Sequence, residues 1–329
     1  MTLSPLRVND VVGRRPTGQG VRMLRDFRFS FNVFGIPSRQ DLQELCRRGE
    51  SAGFHTVFAA DHLGAPAPFP VLVAAADATE RLRVGTLVLN APFWNPALLA
   101  REVASTDILT DGRLELGLGA GHMKWEFDAA GIPWTSFGSR ARTLEKTITE
   151  LERLFSGDLA ALPGGTAPQP VQRSGFGGSG PPLIVGGTGD RVLTIAARHA
   201  DIIGVAGAYQ VAGRPPGTFR LATAAETNER MRFVRGLAGE RSGHIEWHLL
   251  VQMVVPTTDR RSTAEDIISR FGTETTADEA LEMPYLLIGT PEQMAEQLVA
   301  ARERWGFSYV TVHEPYREAF EPVVERLRS

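Results

Sequence analysis

The sequence is poor in cysteine, with only Cys46 among 329 residues. A single cysteine cannot form an internal disulfide or supply a cysteine-based metal site. Cys46 lies in an amphipathic segment, residues 41–52, where a packing role is favoured over catalysis. The seven histidines include no pair with the helical spacing of a zinc site and a third ligand nearby, so no metal is expected.

Long apolar runs are also missing. No uninterrupted run approaches the length of a membrane span, and the first residues lack the apolar core of a signal peptide. The net charge of -3 and the pI near 6.2 provide no basic field for nucleic acid. These absences predict a cytoplasmic protein that binds neither membrane nor nucleic acid.

The composition is otherwise that of an ordinary globular protein, with 43% hydrophobic and 22% charged residues. Residues 1–26 hold five arginines, two prolines and few large apolar groups. We therefore predict a poorly packed N-terminal leader at 1–26, with a docked arm as the alternative. One domain is predicted at 27–329.

Strand-like and helix-like segments alternate through this domain. Eight predicted strands occupy residues 27–34, 56–60, 83–89, 113–118, 182–186, 202–206, 245–255 and 308–313. Eight predicted helices occupy residues 39–52, 68–80, 96–109, 140–155, 190–199, 222–237, 291–305 and 315–327. Eight strand and helix pairs predict a (β/α)8 TIM barrel, with an open doubly wound sheet as the main competitor. A segment rich in Gly, Pro, Ser and Ala at about 157–181 is predicted as a loop insertion over the mouth, meaning the carboxyl-terminal end of the barrel strands.

The most informative stretch is 82–126, where two predicted strands flank a helix that begins just after Asn95. Polar turns follow both strands, and α/β proteins place their chemistry at such carboxyl ends. The second strand runs into a turn with few side chains, from Gly119 to His122, which a ligand can approach closely. A tight turn needed only for packing is an equal alternative.

Two further strand ends carry candidate site residues. Asp61 and His62 follow the second predicted strand, where a histidine can relay a proton or hydrogen-bond a ligand. A capping Asp with a neighbouring His is the alternative. The glycine turn at 186–189 precedes a helix whose backbone N–H groups suit an anion. A plain turn between strand and helix remains the alternative there.

Several aromatic residues fall in predicted loops or helix starts and predict an apolar mouth for a bulky organic substrate. Packing of some of these rings at the surface is the alternative. Trp125 and Glu126 are also candidates for shaping this pocket, although a Trp on a helix is as often core packing. The aromatic residues are Phe69, Phe93, Trp94, Trp125, Trp134 and Phe137, of which Phe93, Trp94 and Trp125 are the predicted substrate pocket.

An ordered set of short motifs from about residue 27 to the C-terminus resembles the bacterial luciferase-like flavin and deazaflavin oxidoreductases. The motifs are Ala52-Gly53-Phe54, Asp61-His62, Val84-Gly85-Thr86, Asn95-Pro96, Asp111-Gly112-Arg113-Leu114, Gly117-Leu118-Gly119-Ala120-Gly121, Pro182-Leu183-Ile184-Val185-Gly186-Gly187, Ala200-Asp201, Ile288-Gly289-Thr290-Pro291-Glu292 and Trp305-Gly306-Phe307. Each motif is short, but the order and spacing of all of them together are specific for this family. The ending at 287–306 is most similar to the branch that uses the deazaflavin coenzyme F420.

The resemblance implies roles for residues on two neighbouring strands. In the family, the matching strand often carries a non-proline cis peptide that supports the central ring of the cofactor, expected here at Leu87 and Val88. Asn90 is then expected to point toward the polar edge of that ring. Asp61 and His62 match residues beside the cofactor. His62 is expected to be catalytic, donating a proton or orienting the substrate.

The resemblance also implies roles for the two glycine turns. Gly121 and His122 match the turn beneath the side chain of the cofactor, and His122 is the second catalytic candidate. Gly186, Gly187 and Thr188 match its phosphate contacts. Sugar-phosphate dehydrogenases of the family carry a glutamate where this chain has His122, and a tryptophan a few residues after the position of His62. This chain departs from both features, so oxidation of a sugar phosphate is not expected.

The implied function is coenzyme F420-dependent hydride transfer to or from a bulky organic substrate, reducing a C=C or C=N bond. The first alternative is an FMN-dependent monooxygenase that uses O2. The second is a cofactor-free structural or partner protein of the same fold, because fold does not decide function. A homodimer is expected, since relatives commonly dimerise through the helices after the second and third strands.

Overall fold

The structure is a computed structural model that describes residues 25–158, 167–271 and 275–328. Most of the predicted leader, residues 1–24, lies outside the described residues. Part of the predicted insertion, residues 159–166, lies outside them as well. Within the described ranges, no helix is both long and apolar enough to cross a membrane.

The described residues form thirteen strands and eleven α-helices. The strands are β1 (Arg28–Val33), β2 (Thr56–Ala59), β3 (Arg83–Thr86), β4 (Leu89–Asn90), β5 (Leu114–Gly119), β6 (Leu183–Gly187), β7 (Ile202–Val205), β8 (Ala208–Gln210), β9 (Phe219–Leu221), β10 (Glu246–Val251), β11 (Met253–Pro256), β12 (Leu286–Gly289) and β13 (Phe307–His313). The helices are α1 (Arg39–Ala52), α2 (Pro68–Asp77), α3 (Pro96–Leu109), α4 (Lys124–Ala129), α5 (Phe137–Arg153), α6 (Asp190–His199), α7 (Ala224–Ala238), α8 (Arg260–Phe271), α9 (Ala277–Glu282), α10 (Pro291–Trp305) and α11 (Arg317–Arg328).

The parallel strands close into a barrel. Their order is β1, β2, β3 continued by β4, β5, β6, β7, β10, β13 and back to β1. Closure through the pairs β3–β5 and β1–β13 excludes the open doubly wound sheet. The predicted (β/α)8 barrel is therefore confirmed. Strands β8 and β9 form a separate antiparallel hairpin, and β11 pairs with β12 in parallel.

Local sequence signals explain why the helices begin and end where they do. The Ser38 side chain accepts a hydrogen bond from the backbone N–H of Asp41, and α1 ends at Gly53 in the left-handed region. Helix α10 begins with a capping box between Thr290 and Gln293. These caps satisfy backbone groups that the first and last helical turns leave without partners.

An ionic network, formed by Arg28, Arg83, Glu115, Glu246 and Tyr309, fills the amino-terminal end of the barrel. Glu115 is 1% exposed. Its carboxylate accepts hydrogen bonds from Arg28, from Arg83 Nε at 2.7 Å and from the Tyr309 hydroxyl at 2.8 Å. Arg28 also donates to Glu246 at 2.7 Å. Burial alone would raise the pKa of Glu115, but the two arginines hold it below its usual value. The network is a set of buried charges that compensate one another.

Above this network the barrel interior is mostly apolar and holds one buried histidine. The His248 ring packs edge-on against Phe58 and Tyr309. Its Nε2 atom lies 2.7 Å from the Thr311 hydroxyl. Burial lowers the pKa of His248 to about 4, so the ring is neutral at pH 7.

All eight predicted strands and all eight predicted helices are present. The predicted strand at 83–89 is divided into β3 and β4, and the one at 245–255 into β10 and β11. The elements that the sequence did not predict are α4, α8, α9, β8, β9 and β12. Most are short, so they show too few residues for a hydrophobic period to be recognised.

The position predicted for the insertion at 157–181 is wrong for its described part. The Gln172 side chain bonds the backbone oxygen of Leu114 at 2.7 Å and Arg83 at 2.9 Å, and both of these residues begin barrel strands. Asp107, near the end of α3, accepts from the Val171 and Gln172 backbones. Residues 167–180 therefore lie at the amino-terminal end of the barrel. The physical reason is connectivity, because a segment that leads from a helix into a parallel strand reaches the amino end of that strand.

Candidate functional site

The residues predicted to bind a cofactor lie on four neighbouring barrel positions. They are Asp61 and His62 after β2, Leu87 and Val88 between β3 and β4, Asn90 at the end of β4, Gly121 and His122 after β5, Gly186 and Gly187 at the end of β6, and Thr188 directly after it. Because β2, β3–β4, β5 and β6 are adjacent in the barrel, these residues form one continuous arc at the mouth.

The segment between β3 and β4 is shaped by glycines on the neighbouring strand. The peptide bond between Leu87 and Val88 is cis, as predicted. A Cβ atom at Gly117 would lie 2.0 Å from the Thr86 backbone oxygen, and one at Gly119 would lie 2.7 Å from a Val88 methyl group. Part of the glycine-rich sequence of β5 thus serves close packing against this segment.

Asp61 fixes the end of β4. Its Oδ2 atom accepts hydrogen bonds from the Asn90 backbone N–H at 3.0 Å and from the Trp94 indole N–H at 2.9 Å. The Trp94 ring packs edge-on against Phe69. One oxygen of Asp61 is therefore engaged in positioning Asn90, and Trp94 is held by that same oxygen.

Asn90 presents an incompletely satisfied amide next to a required glycine. The residue is 5% exposed, and its Oδ1 atom is buried without a hydrogen-bond donor among the described residues. Gly121 has φ +76°, and a Cβ there would lie 2.4 Å from Asn90 Oδ1 and 2.8 Å from the Phe127 ring. Gly121 is thus needed both for its backbone conformation and for the space that Asn90 occupies.

His62 is held by a buried carboxylate. Its Nδ1 atom lies 2.8 Å from Glu126 Oε1, and the same oxygen accepts from the Leu63 backbone N–H at 3.3 Å. Glu126 is on α4 and is 2% exposed, whereas the His62 side chain is 32% exposed. Sequence reasoning identified both residues but not their pairing, because they are 64 positions apart.

His122 stands beside His62 in the wall of the mouth. The two rings meet edge-on with their centroids 5.5 Å apart, and Phe219 of β9 contacts the other side of His122 at 5.6 Å. His122 is itself exposed to solvent, but partial desolvation by its neighbours and the nearby His62 lower its pKa, against an opposing effect of Glu126. His122 is therefore neutral at pH 7, and the β8–β9 hairpin reaches the predicted site.

The glycine turn after β6 leads into α6. A Cβ at Gly187 would lie 2.7 Å from a Val192 methyl group, so this glycine permits close packing of α6 on the strand. The Thr188 hydroxyl accepts from the Ala208 backbone N–H at 3.1 Å. Helix α6 starts after Gly189, which provides no side-chain cap. Its first N–H groups have the arrangement that suits an anion.

The sequence did not predict a polar chain that lies at the mouth, at the ends of β1 and β13. Asn32, which is 2% exposed, bonds His313 Nδ1 at about 3.0 Å. Gln252 lies 3.2 Å from His313 Nε2. Burial lowers the pKa of His313. An alternation of polar side chains at the ends of β1 and β13 was the available sequence signal.

The structure does not bring the three predicted substrate-pocket residues into one cluster. Phe93 packs edge-on against Phe127 at 4.9 Å, whereas Trp94 contacts Phe69. Trp125 is 50% exposed on α4 and makes no ring contact with another described residue. Its exposure is not that of core packing.

Part of the chain is similar to curated enzymes of different cofactor use. One match is 32% identical over 145 residues to the oxygenase component of a flavin-dependent trigonelline monooxygenase from Acinetobacter baylyi, covering 40% of each chain. Another is 33% identical over 128 residues to an F420-dependent glucose-6-phosphate dehydrogenase from Amycolatopsis mediterranei, covering 36% of this chain and 38% of that one. The matched stretches thus span about two fifths of the length of these relatives.

A solved structure matches over nearly the whole chain. The coenzyme F420-dependent tetrahydromethanopterin reductase from Methanopyrus kandleri superposes with a TM-score of 0.66 at 17% identity, covering 92% of this chain and 98% of that one. At this identity the likeness establishes the fold. The family model described as luciferase-like monooxygenase matches residues 30–234. Since that match covers more than half of the chain and ends within the same closed barrel, the protein belongs to the luciferase-like monooxygenase family.

Proposed function

We propose that the protein is a coenzyme F420-dependent oxidoreductase that transfers a hydride between the deazaflavin and a bulky organic substrate, reducing a C=C or C=N bond. The observation that carries the proposal is the pairing of His62 Nδ1 with the buried Glu126 carboxylate at 2.8 Å. This pairing leaves Nε2 as the histidine nitrogen available at the mouth. A hydride acceptor needs a proton as well, and His62 is the group that can provide it.

The residues of the arc fit a flat heterocycle with polar edges and an anionic tail. Asn90 has a buried amide oxygen without a donor among the described residues, which a ring N–H group would satisfy. Gly121 keeps the floor beside it free of a side chain. The uncapped start of α6 at Gly189 suits a phosphate.

A bound deazaflavin would supply hydride chemistry without oxygen activation. The chain's own residues do the remaining work. Once His62 has taken up a second proton, on Nε2, a substrate atom that gains a hydride beside it can take that proton, and the ring returns to its neutral Nδ1–H form. Neutral His122 adds no positive charge next to His62, and its lowered pKa keeps it so at pH 7. The β8–β9 hairpin reaches the mouth, where Phe219 contacts the His122 ring.

The test is a separate titration of the purified protein with oxidised F420, reduced F420 and FMN, followed by fluorescence quenching or calorimetry. We expect micromolar or tighter binding of the deazaflavin. An Asn90→Ala variant is expected to weaken it about 10-fold, since one good hydrogen bond is worth about 1 kcal/mol or somewhat more. Asp128→Asn, an exposed position on α4 paired with Lys124, is the matched control and should bind as the wild type does.

A second function has specific support. The relative from Acinetobacter baylyi is a flavin-dependent monooxygenase component, and the same arc would hold FMN. Selective binding of FMN in the titration would replace the hydride-transfer proposal with an oxygen-dependent monooxygenase. Binding of neither cofactor would contradict both and leave a cofactor-free partner protein.

The substrate and the assembly are parts of the same proposal. A sugar phosphate is disfavoured, since His122 stands where sugar-phosphate dehydrogenases of the family carry a glutamate. The half-exposed Trp125 supports a bulky apolar substrate instead. A homodimer is proposed from the habit of the family, and sedimentation of the purified protein tests it.

A further inference from the structure

Glu126 is a buried carboxylate with unusual surroundings. Although it is 2% exposed, no lysine or arginine of the described residues pairs with it, and the ionisable group in direct contact with it there is His62. It also accepts a hydrogen bond from the Leu63 backbone N–H. A buried carboxylate is costly unless charge or hydrogen bonds compensate it. Both contacts of this carboxylate are therefore with the loop that carries His62.

We propose that Glu126 is a positioning residue that holds His62 in one orientation and one tautomer, with the proton on Nδ1 directed at the carboxylate and Nε2 left for the substrate. This inference rests on the proposed hydride-transfer function, in which His62 exchanges a proton. Glu126 itself does not touch the substrate in this scheme. It decides which nitrogen of His62 does.

The chemistry of the imidazole ring supports this assignment. A neutral histidine has one donor nitrogen and one acceptor nitrogen, and the partner of one determines the state of the other. An ionised carboxylate only accepts hydrogen bonds, so a carboxylate 2.8 Å from Nδ1 selects the Nδ1–H form. A proton taken from substrate or solvent then resides on Nε2, and the carboxylate stabilises the resulting positive charge.

The groups that face this pair come from three directions. Glu126 approaches His62 from α4, and His122 packs edge-on against it from the loop after β5. Asp61 precedes it in the chain, but one of its oxygens is engaged by Asn90 and Trp94. Desolvation and then His62 lower the pKa of His122, whereas Glu126 acts in the opposite direction, and the net shift is downward. Glu126 is thus the charged group that directly contacts the His62 ring.

A purely structural role is the competing explanation, because Glu126 also accepts from the Leu63 backbone. Such a role predicts a loosened loop and weaker cofactor binding, with no particular tautomer of His62. The positioning role predicts a defined tautomer in the cofactor-free protein. The two explanations therefore separate in a measurement that needs no activity.

The experiment is nitrogen-15 NMR of the histidine side chains in the full-length, cofactor-free protein at a pH where His62 is neutral. The wild type is expected to have His62 as the Nδ1–H tautomer. Glu126→Met, which keeps an unbranched side chain of similar size, and Glu126→Ala should both shift it toward Nε2–H. Asp128→Asn on the same helix is the control and should leave the tautomer unchanged. An Nε2–H tautomer in the wild type, or an unchanged Nδ1–H tautomer in Glu126→Met, would overturn the proposal.

A kinetic readout separates this proposal from the proposed function. With F420 bound, Glu126→Met should lower kcat about 10-fold to 100-fold, part of what a general acid contributes, and change the F420 dissociation constant less than about 3-fold. Glu126→Gln, which keeps an acceptor atom, should recover part of the loss. An unchanged kcat in Glu126→Met, or a loss confined to F420 affinity, contradicts the positioning role. If the wild type binds no F420 but His62 is the Nδ1–H tautomer, the proposed function fails and the positioning of His62 stands.

Discussion

Glu115 at one end of the barrel and Asn90 at the other are both buried polar residues, but they differ in how fully their hydrogen bonds are made. At the amino-terminal end, Glu115 is fully enclosed and bonded to Arg28, Arg83 and Tyr309. At the mouth, Asn90 has a buried oxygen with no donor among the described residues. A buried group with all its partners stabilises the fold, whereas one without them has a free energy cost that a ligand can remove.

In this barrel, the groups that can bind another molecule are those whose hydrogen-bonding capacity is not used within the protein. Charge and burial alone would point to the ionic network, because several charged side chains contact one another there away from bulk solvent. Those interactions are already satisfied within the protein. The mouth has weaker groups, but His62 and Asn90 there retain bonding capacity for another molecule.

The largest effect on stability is expected for Glu115→Ala. Removing this carboxylate leaves the partly buried Arg28 and Arg83 with fewer partners and removes the acceptor of Tyr309. We expect the free energy of unfolding to fall by about 3–5 kcal/mol, measured by urea denaturation. Cofactor affinity of the folded fraction should not change.

The control for this change is Glu145→Ala. Glu145 forms a more exposed ion pair with Arg198 at 3.2 Å. Its removal should cost about 1 kcal/mol or less. Equal losses in the two variants would mean that the ionic network does not determine stability and that the contrast between the two ends is false.

The next effect concerns pH and the barrel interior. Burial lowers the pKa of His248 to about 4 in the folded protein, against an ordinary 6.5. Between these values the unfolded chain binds the proton first, so stability is full above pH 6.5 and falls as the pH drops toward 4. The loss contributed by His248 is on the order of 3 kcal/mol.

His248→Gln removes this titration but keeps a group that can bond Thr311. Its free energy of unfolding should depend less steeply on pH between 6.5 and 4 than that of the wild type. The exposed His244 provides the matched change, His244→Gln, which should keep the wild-type slope. Parallel curves for wild type and His248→Gln would contradict the prediction.

The smallest effect on stability is expected for Gly121→Ala, and this substitution also changes the mouth directly. The new Cβ meets Asn90 Oδ1 at 2.4 Å in a left-handed conformation, which should cost about 1–3 kcal/mol. Displacement of Asn90 should also weaken cofactor binding at least about 10-fold, measured by the same titration.

Gly131→Ala is its control. Gly131 has a similar φ of +67°, but a Cβ there would meet nothing within 4 Å. Both substitutions therefore introduce the same kind of backbone strain, and only Gly121→Ala disturbs Asn90. If both variants bind cofactor equally well, Asn90 is not a binding residue.

Much of the barrel could be predicted because its signals are local. Helix α1 has Ser38 before it and Gly53 after it, and its bounds were predicted to the residue. Strand β9 has only three residues, which is too few for a period. The place of residues 167–180 depends on connectivity and not on their Gly and Pro content. Composition alone therefore misled the prediction.

The candidate site was predicted residue by residue but not as a set of interactions. His62 was found from its position at a strand end, and Leu87 and Val88 from the resemblance. The partner of His62 could not be found in this way, because Glu126 lies on a short helix that the sequence did not predict. Contacts between distant segments depend on side-chain packing, which no local pattern encodes.

The glycines of β5 have a consequence for any attempt to redesign this mouth. Gly117 and Gly119 give their side-chain space to Thr86 and Val88 on the adjoining strand. Strand β5 and the segment 86–88 are therefore structurally coupled. If one of them is replaced by the matching segment of another barrel, it will fit only when the other is replaced from the same barrel. Substitutions at 86–88 alone will be tolerated only if they fit against β5 as it stands, because Gly117 and Gly119 have no side chains that could repack.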